Sequence, residues 1–202
     1  AGSTLSAANP AIAAIAVTTT LAASAGAIIA MTYTWIKNSK PDVNMTLNGV
    51  LAGLVSITAG TANVSPLSAI IIGGLGGLLV VIAARFFNSL KIDDPVGAIA
   101  VHGVCGAWGT LAVGLFAQET FGGINGLFFG GGIAQLISQF TGVISVFLFV
   151  FPAAYMVFKT IDMTIGLRAS EEDELKGLDA SEHRIEAYND LIAPTAIQTI
   201  ER

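Results

Sequence analysis

The stretch from Asp93 to Ala117 decides the fold and reads DDPVGAIAVHGVCGAWGTLAVGLFA. After its two acidic residues it carries no formal charge, is rich in Gly and Ala, and holds one imidazole, His102. A membrane-spanning helix needs about 20 mostly apolar residues, so the stretch predicts a transmembrane helix. An ionisable side chain inside a membrane is costly and indicates a function by default. The alternative is a neutral imidazole that hydrogen-bonds a neighbouring helix.

The composition of the 202-residue chain is that of a membrane protein. Hydrophobic residues make up 53% of it and charged residues 11%, whereas soluble domains have about 25% charged residues. The net charge of -5 comes mostly from acids near the C-terminus. No basic stripe is present to bind phosphates, so nucleic acid is not an expected partner. The chain starts without Met, and we expect its natural N-terminus to lie further upstream.

Hydrophobic length predicts an all-α, polytopic transmembrane bundle. The five expected spans cover about residues 10–36, 45–62, 67–87, 95–117 and 133–158. A transmembrane domain is thus expected over residues 1–165 and a charged cytoplasmic tail over residues 166–202. The string GGLGG at Gly73–Gly77 lacks the lysine of a phosphate-binding loop. It favours close packing of helices through small residues.

The basic residues predict the orientation. Five spans place all of them on one side: Lys37 and Lys40 after the first span, Arg85 and Lys91 after the third, and Lys159, Arg168, Lys176, Arg184 and Arg202 after the fifth. The positive-inside rule assigns that side to the cytoplasm. The N-terminus is then expected outside an integral cell (inner) membrane protein, and the tail inside.

Several residues near His102 have predicted structural roles. Asp93 and Asp94 suit helix capping better than acid catalysis, with Pro95 in the first helical turn. Gly103, Gly106 and Gly109 recur every three residues and predict a strip for close helix packing. His102 and Cys105 are three residues apart, but the spans hold no further His or acidic residue, so no metal site and no cofactor is expected.

No catalytic arrangement is apparent either. The second histidine, His183, lies in the tail, and no Ser/His/Asp or Cys/His set is available for a nucleophilic mechanism. The sequence therefore does not predict an enzyme.

Four stretches carry a resemblance to a known family. The first is the quoted segment from Asp93, and the others are AGSTLSAANPAIAAIAVTTTLAA, NGVLAGLVSITAG and GLRASEEDELKGLDASEHRIEAYND. Together they resemble the ammonium transporter (Amt/Mep/Rh) family, specifically its Amt branch. The resemblance covers residues 1 to about 190 in the expected order. Members have eleven spanning helices and form trimers with one narrow hydrophobic pore per subunit. This chain resembles helices seven to eleven.

The resemblance implies roles for individual residues. His102 matches the second of two pore histidines, whose partner belongs to the family's fifth helix. Ser3 matches a serine at the external site that recruits the cation. Asp93 and Asp94 match an acidic pair with a structural role. The family's regulatory tail, which answers to PII signalling proteins, matches the segment that holds Gly177, Leu178, Asp179 and Ser181. Ser181 lies where some plant relatives carry a regulatory threonine.

The implied function is transport of ammonium or ammonia through a histidine-lined hydrophobic pore, with deprotonation of ammonium. The alternatives are an ammonium sensor that signals through the tail, or one part of a split or engineered transporter. Ammonium, a lipid bilayer, two further copies in a homotrimer, an N-terminal half with the partner histidine, and a PII protein are the implied partners. Val96, Gly97 and Ala98 are small or apolar where some relatives carry polar groups, a departure that bears on the cytoplasmic vestibule.

Overall fold

The computed structural model describes residues 8–184, and within them all regular structure is helical. The elements are α1 (Ile12–Asn38), α2 (Val43–Thr58), α3 (Pro66–Ser89), a π-helical turn (Ile99–Val104) continuous with α4 (Cys105–Phe116), α5 (Glu119–Gly122), a 3₁₀ turn (Leu127–Phe129), α6 (Ala134–Thr164), α7 (Glu171–Lys176) and α8 (Leu178–His183). The predicted all-helical architecture is confirmed.

Within residues 8–184, four helical stretches are long and apolar enough to cross a membrane: α1, α3, Ile99–Phe116 and α6. The second expected span is shorter than predicted, because α2 has 16 residues and ends at Thr58 rather than near residue 62. The residues that follow form turns, with the Gly60 N–H donating to the Ile57 carbonyl and the Asn63 N–H to the Gly60 carbonyl. At about 1.5 Å per residue, α2 is about 24 Å long.

Side-chain caps fix where α2 and α3 begin. The Asp42 carboxylate accepts a hydrogen bond from the Met45 N–H at 3.0 Å at the start of α2. At the start of α3 the Ser65 hydroxyl accepts from the Ser68 N–H at 3.3 Å, with Pro66 in the first turn. Such caps satisfy backbone N–H groups that have no partner inside the helix.

Glycines bring α1, α2 and α3 into close contact. A methyl group added at Gly73 would lie 2.2 Å from the Ala22 carbonyl oxygen, and one added at Gly77 would lie 2.2 Å from the Gly26 oxygen. Gly53 of α2 meets Ala22 at the same distance. Real Cβ atoms do not tolerate such approaches, so these helices need small residues at their crossings. The prediction that Gly73–Gly77 serves helix packing is confirmed.

The expected fourth span starts later than predicted. Pro95 lies in a turn before the helix, not in its first turn, and Gly97 adopts a left-handed φ of 73° that an α-helix cannot continue. The regular structure begins after Gly97. Residues 95–97, which hydrophobic length had assigned to the span, therefore belong to the loop that precedes the helix.

Contacts divide the chain into two compact units, with the division between Phe147 and Leu148. Helix α6 runs through this point as a continuous 31-residue helix and ends at Thr164, six residues beyond the expected end. In the second unit, a Lys159–Asp162 ion pair of 2.9 Å lies near the end of α6. Ser170 caps α7, where its hydroxyl accepts from the Asp173 N–H at 3.1 Å.

Candidate functional site around His102

His102 lies inside the π-helical turn from Ile99 to Val104. In this geometry the Cys105 N–H reaches back five residues to the Ala100 carbonyl. Such turns are rare and often occur at functional sites. Ala100 and Val101 are buried against the neighbouring helices, at 0% and 1% exposure, whereas His102 is exposed. The turn therefore directs the imidazole to the open side of the first unit.

The start of the turn is anchored by Asp94. Its carboxylate accepts hydrogen bonds from the Ala98 N–H at 2.7 Å and from the Ile99 N–H at 3.0 Å. Gly97, which lies between Asp94 and Ala98 in the chain, is buried, and a methyl group there would lie 2.9 Å from the Asn48 amide nitrogen. A carboxylate at the first N–H groups of a helix also interacts favourably with the positive end of the helix dipole. Asp94 thus caps the first helical residues, although it precedes the helix in the chain.

The end of the turn is anchored on α2 and α3. The Trp108 indole N–H donates to the Ile72 carbonyl at 3.0 Å, and the Cys105 thiol donates to the Gly76 carbonyl at 3.5 Å. A methyl group at Gly109 would lie 2.4 Å from the Ser56 carbonyl oxygen. These contacts fix the phase of α4 directly after His102. The imidazole therefore lies between two points at which the backbone is attached to the rest of the first unit.

The three glycines after His102 have different surroundings. Only Gly109 meets the backbone of a neighbouring helix among residues 8–184. The nearest atoms to added methyl groups at Gly103 and Gly106 are Ile99 Cγ2 and Val55 Cγ1, each at 3.8 Å. Gly103 lies in the π-turn, whose wider winding changes the helical phase, whereas Gly106 and Gly109 both lie in α4. Helix packing at Gly103 and Gly106 stays a prediction.

A polar cavity that no sequence pattern indicated lies beside the start of the turn. Its volume is about 550 Å³, and its polar lining includes Asp42, Asn48, Asn88 and Asp94. These residues come from the α1–α2 connection, α2, α3 and the loop before the π-turn, so sequence spacing gives no signal of their proximity. Asp93, the other member of the acidic pair, is exposed in the same loop.

Ser56 is a second feature that no sequence pattern indicated. This α2 residue is fully buried where α2 meets α3 and α4, and within residues 8–184 no group accepts from or donates to its hydroxyl oxygen. A methyl group at Gly76 would lie 2.2 Å from that oxygen. Ser56 is therefore a packing residue that lets two glycine-bearing helices approach it.

The predicted residues of the tail belong to the second unit. Ser3 is outside the described residues. Gly177, with a φ of 99°, separates α7 from α8, and α8 holds Leu178, Asp179 and Ser181 in the second unit. Residues 8–184 contain no group of three or more His, Cys, Asp or Glu side chains that could hold a metal ion.

Comparison with protein families shows to which family the chain belongs. The model described as Ammonium Transporter Family matches residues 1–188. The chain belongs to the ammonium transporter family. It is 42% identical over 202 residues to the ammonium transporter Amt2 of Archaeoglobus fulgidus, a match that covers 95% of this chain and 42% of that protein. It is 38% identical over 183 residues to the ammonium transporter of Bacillus subtilis, covering 86% of this chain and 44% of that one.

Solved structures of this transporter family agree with the fold. A structure named Sensor Amt Protein matches with a TM-score of 0.78 and 36% identity, over 86% of this chain and 42% of that chain. Mep2 of Saccharomyces cerevisiae matches with a TM-score of 0.70 and 25% identity, over 80% of this chain and 38% of that chain. The family resemblance is confirmed. The chain spans less than half the length of these relatives.

Proposed function

We propose that this chain supplies the His102 part of an ammonium pathway, in which ammonium loses a proton and ammonia crosses the apolar region. Two observations support the proposal: membership of the ammonium transporter family, and the exposed imidazole held in a π-turn of an apolar helix. The second carries the assignment to His102, because the turn directs an ionisable group away from the chain's own core.

The physical reason for deprotonation is the cost of desolvation. An intact cation loses its hydration in an apolar pore, at a cost of several kcal/mol. Neutral ammonia avoids that cost. A neutral imidazole has one donor and one acceptor, so it hydrogen-bonds ammonia and can accept the proton that ammonium releases. The imidazolium then returns to neutral by passing its proton onward.

The rest of the pathway follows as part of the same proposal. A second histidine pairs with His102 and comes from the part of the relatives that this chain does not span. Ser3 takes part in cation recruitment at the outer end. Three such subunits form a homotrimer, and the tail segment from Gly177 to Ser181 responds to a PII protein.

The orientation proposed is N-terminus outside and tail in the cytoplasm, in the cell membrane. The chain order supports it, because Lys37, Lys40, Arg85 and Lys91 all fall in or next to the α1–α2 and α3–α4 connections, which share one end of the bundle. Cytoplasmic ends of membrane proteins carry such an excess of basic residues.

The test is electrogenic ammonium current on solid-supported membranes, with the full-length transporter. We expect His102→Ala to remove the current, since no imidazole is left at that position to take the proton. His183→Ala changes the only other histidine of the chain and is the matched control, with unchanged current. A full current from His102→Ala would reject the proton-relay role.

A sensor is the second candidate, because one of the similar structures is named Sensor Amt Protein. In that function ammonium binding changes the state of the tail. Deletion of residues 170–202 separates the two functions. Uptake that persists while ammonium signalling is lost assigns signalling to the tail, whereas loss of uptake shows that the tail supports the pore.

A further inference from the structure

One side of the helix from Ile99 to Phe116 carries two polar side chains with a glycine between them. Three buried residues follow one another at intervals of four: Val101, Cys105 and Gly109. The residues that come directly after them are His102, Gly106 and Thr110, and none of these is buried. One residue turns an α-helix by about 100°, and a π-turn by somewhat less. The second set is therefore displaced from the buried set in one direction and shares one side of the helix.

The neighbouring helices leave this side open. A methyl group at Gly109, on the buried side, would lie 2.4 Å from a backbone oxygen of α2. Outside its own turns of helix, a methyl group at Gly106 would have a single neighbour within 4 Å among residues 8–184, the side-chain atom Val55 Cγ1 at 3.8 Å. The absence of a side chain at Gly106 therefore leaves free space between His102 and Thr110.

The hydroxyl of Thr110 has unused capacity to accept hydrogen bonds. The other two polar side chains of α4 are bonded to α3, because the Cys105 thiol and the Trp108 indole both donate to its carbonyls. The Thr110 hydroxyl donates its proton to the Gly106 carbonyl of its own helix at 3.0 Å. A hydroxyl oxygen also has two acceptor lone pairs, and no group between residues 8 and 184 donates to those of Thr110. Thr110 thus offers a ligand an acceptor and no donor.

We propose that Thr110 is a further binding residue of the ammonium pathway, and that its hydroxyl oxygen accepts a hydrogen bond from an N–H of ammonium or ammonia. This role rests on the proposed function, and it gives the pathway a second polar contact, eight residues or at most about 12 Å from His102. Both ligands donate N–H groups, and ammonium has no acceptor at all. In an apolar segment an unmade hydrogen bond is costly, so a single free acceptor affects where the ligand is held.

The test measures ammonium-dependent current of the full-length transporter on solid-supported membranes. Thr110→Val removes the hydroxyl and keeps the shape of the side chain. The half-saturating ammonium concentration should rise about 2- to 12-fold, as expected for the loss of one hydrogen bond, while the maximal current is kept. Thr110→Ser retains the hydroxyl and should restore the original concentration. Measurements at two pH values identify the bound form, since half-saturation follows the free ammonia if ammonia binds and the ammonium if ammonium binds.

Thr141→Val is the matched control. Thr141 lies on α6, and its hydroxyl also donates four residues back along its own helix, to the Ile137 carbonyl at 2.9 Å. The control therefore loses the same kind of internal bond, and its half-saturating concentration should not change. If circular dichroism shows that Thr110→Val does not fold, Thr110→Ala replaces it with the same expected result.

An unchanged half-saturating concentration in Thr110→Val would overturn the binding role, and a fall in maximal current alone would indicate a structural role. This result is separable from that of the relay. A raised half-saturating concentration in Thr110→Val beside a full current in His102→Ala would reject the relay and keep the Thr110 contact. No ammonium current from the unsubstituted transporter would refute the proposed function and the contact with it.

Discussion

Replacing Asp94 by Ala tests whether the π-turn depends on its cap. The carboxylate accepts two backbone hydrogen bonds, from the Ala98 N–H at 2.7 Å and the Ile99 N–H at 3.0 Å. Loss of a helix cap costs about 0.5–2 kcal/mol. Asp94 is only half-buried, so water can replace part of what is lost. We therefore expect a cost of about 1–2 kcal/mol at the start of the turn.

Amide hydrogen exchange measures this cost where it occurs. A loss of 1–2 kcal/mol corresponds to roughly 5- to 30-fold faster exchange at Ala98 and Ile99, if local opening governs exchange there. Asp94→Asn keeps one oxygen acceptor and should give an intermediate rate. Unchanged exchange at both amides in Asp94→Ala would refute the reasoning, because the cap would then contribute nothing to the turn.

Two further substitutions test the packing that fixes the turn. Gly77→Ala should destabilise the bundle by about 1–3 kcal/mol, since the new methyl group would lie 2.2 Å from the Gly26 oxygen. Gly142→Ala is the control, because a methyl group there has nothing within 4 Å. Equal denaturation midpoints for the two variants would contradict the predicted clash at Gly77. Trp108→Phe removes the 3.0 Å hydrogen bond to the Ile72 carbonyl and should lower the free energy of unfolding by about 1 kcal/mol. Denaturant unfolding followed by circular dichroism measures this loss. An unchanged free energy of unfolding would show that water replaces the indole as the donor.

The sequence predicted the membrane helices because hydrophobic length is a direct consequence of bilayer thickness. It located α1 and α3 to within a few residues of the observed ends. It overestimated α2 at its C-terminal end, where Gly60 and Thr61 continue an apolar pattern but form turns. Hydropathy does not distinguish a short helix followed by an apolar turn from a full span.

The π-turn had no sequence signature. Ile99 to Val104 is apolar except for His102 and would fit an α-helix equally well. The turn lies between two attachments: the Asp94 cap, and the packing of Gly109 against Ser56. Both depend on residues brought together by tertiary structure. The chemistry of His102 thus made it a candidate from the sequence, whereas the π-turn that holds it could not be predicted.

The most direct test of the account measures charge and nitrogen together. Proteoliposomes with the full-length transporter are given an ammonium pulse, and the charge moved is divided by the ammonium nitrogen taken up. We predict that His102→Ala lowers this ratio at least tenfold relative to the unsubstituted protein, while His183→Ala leaves it unchanged. An unchanged ratio in His102→Ala, with uptake at the original rate, would contradict the claim that the imidazole in the π-turn carries the proton.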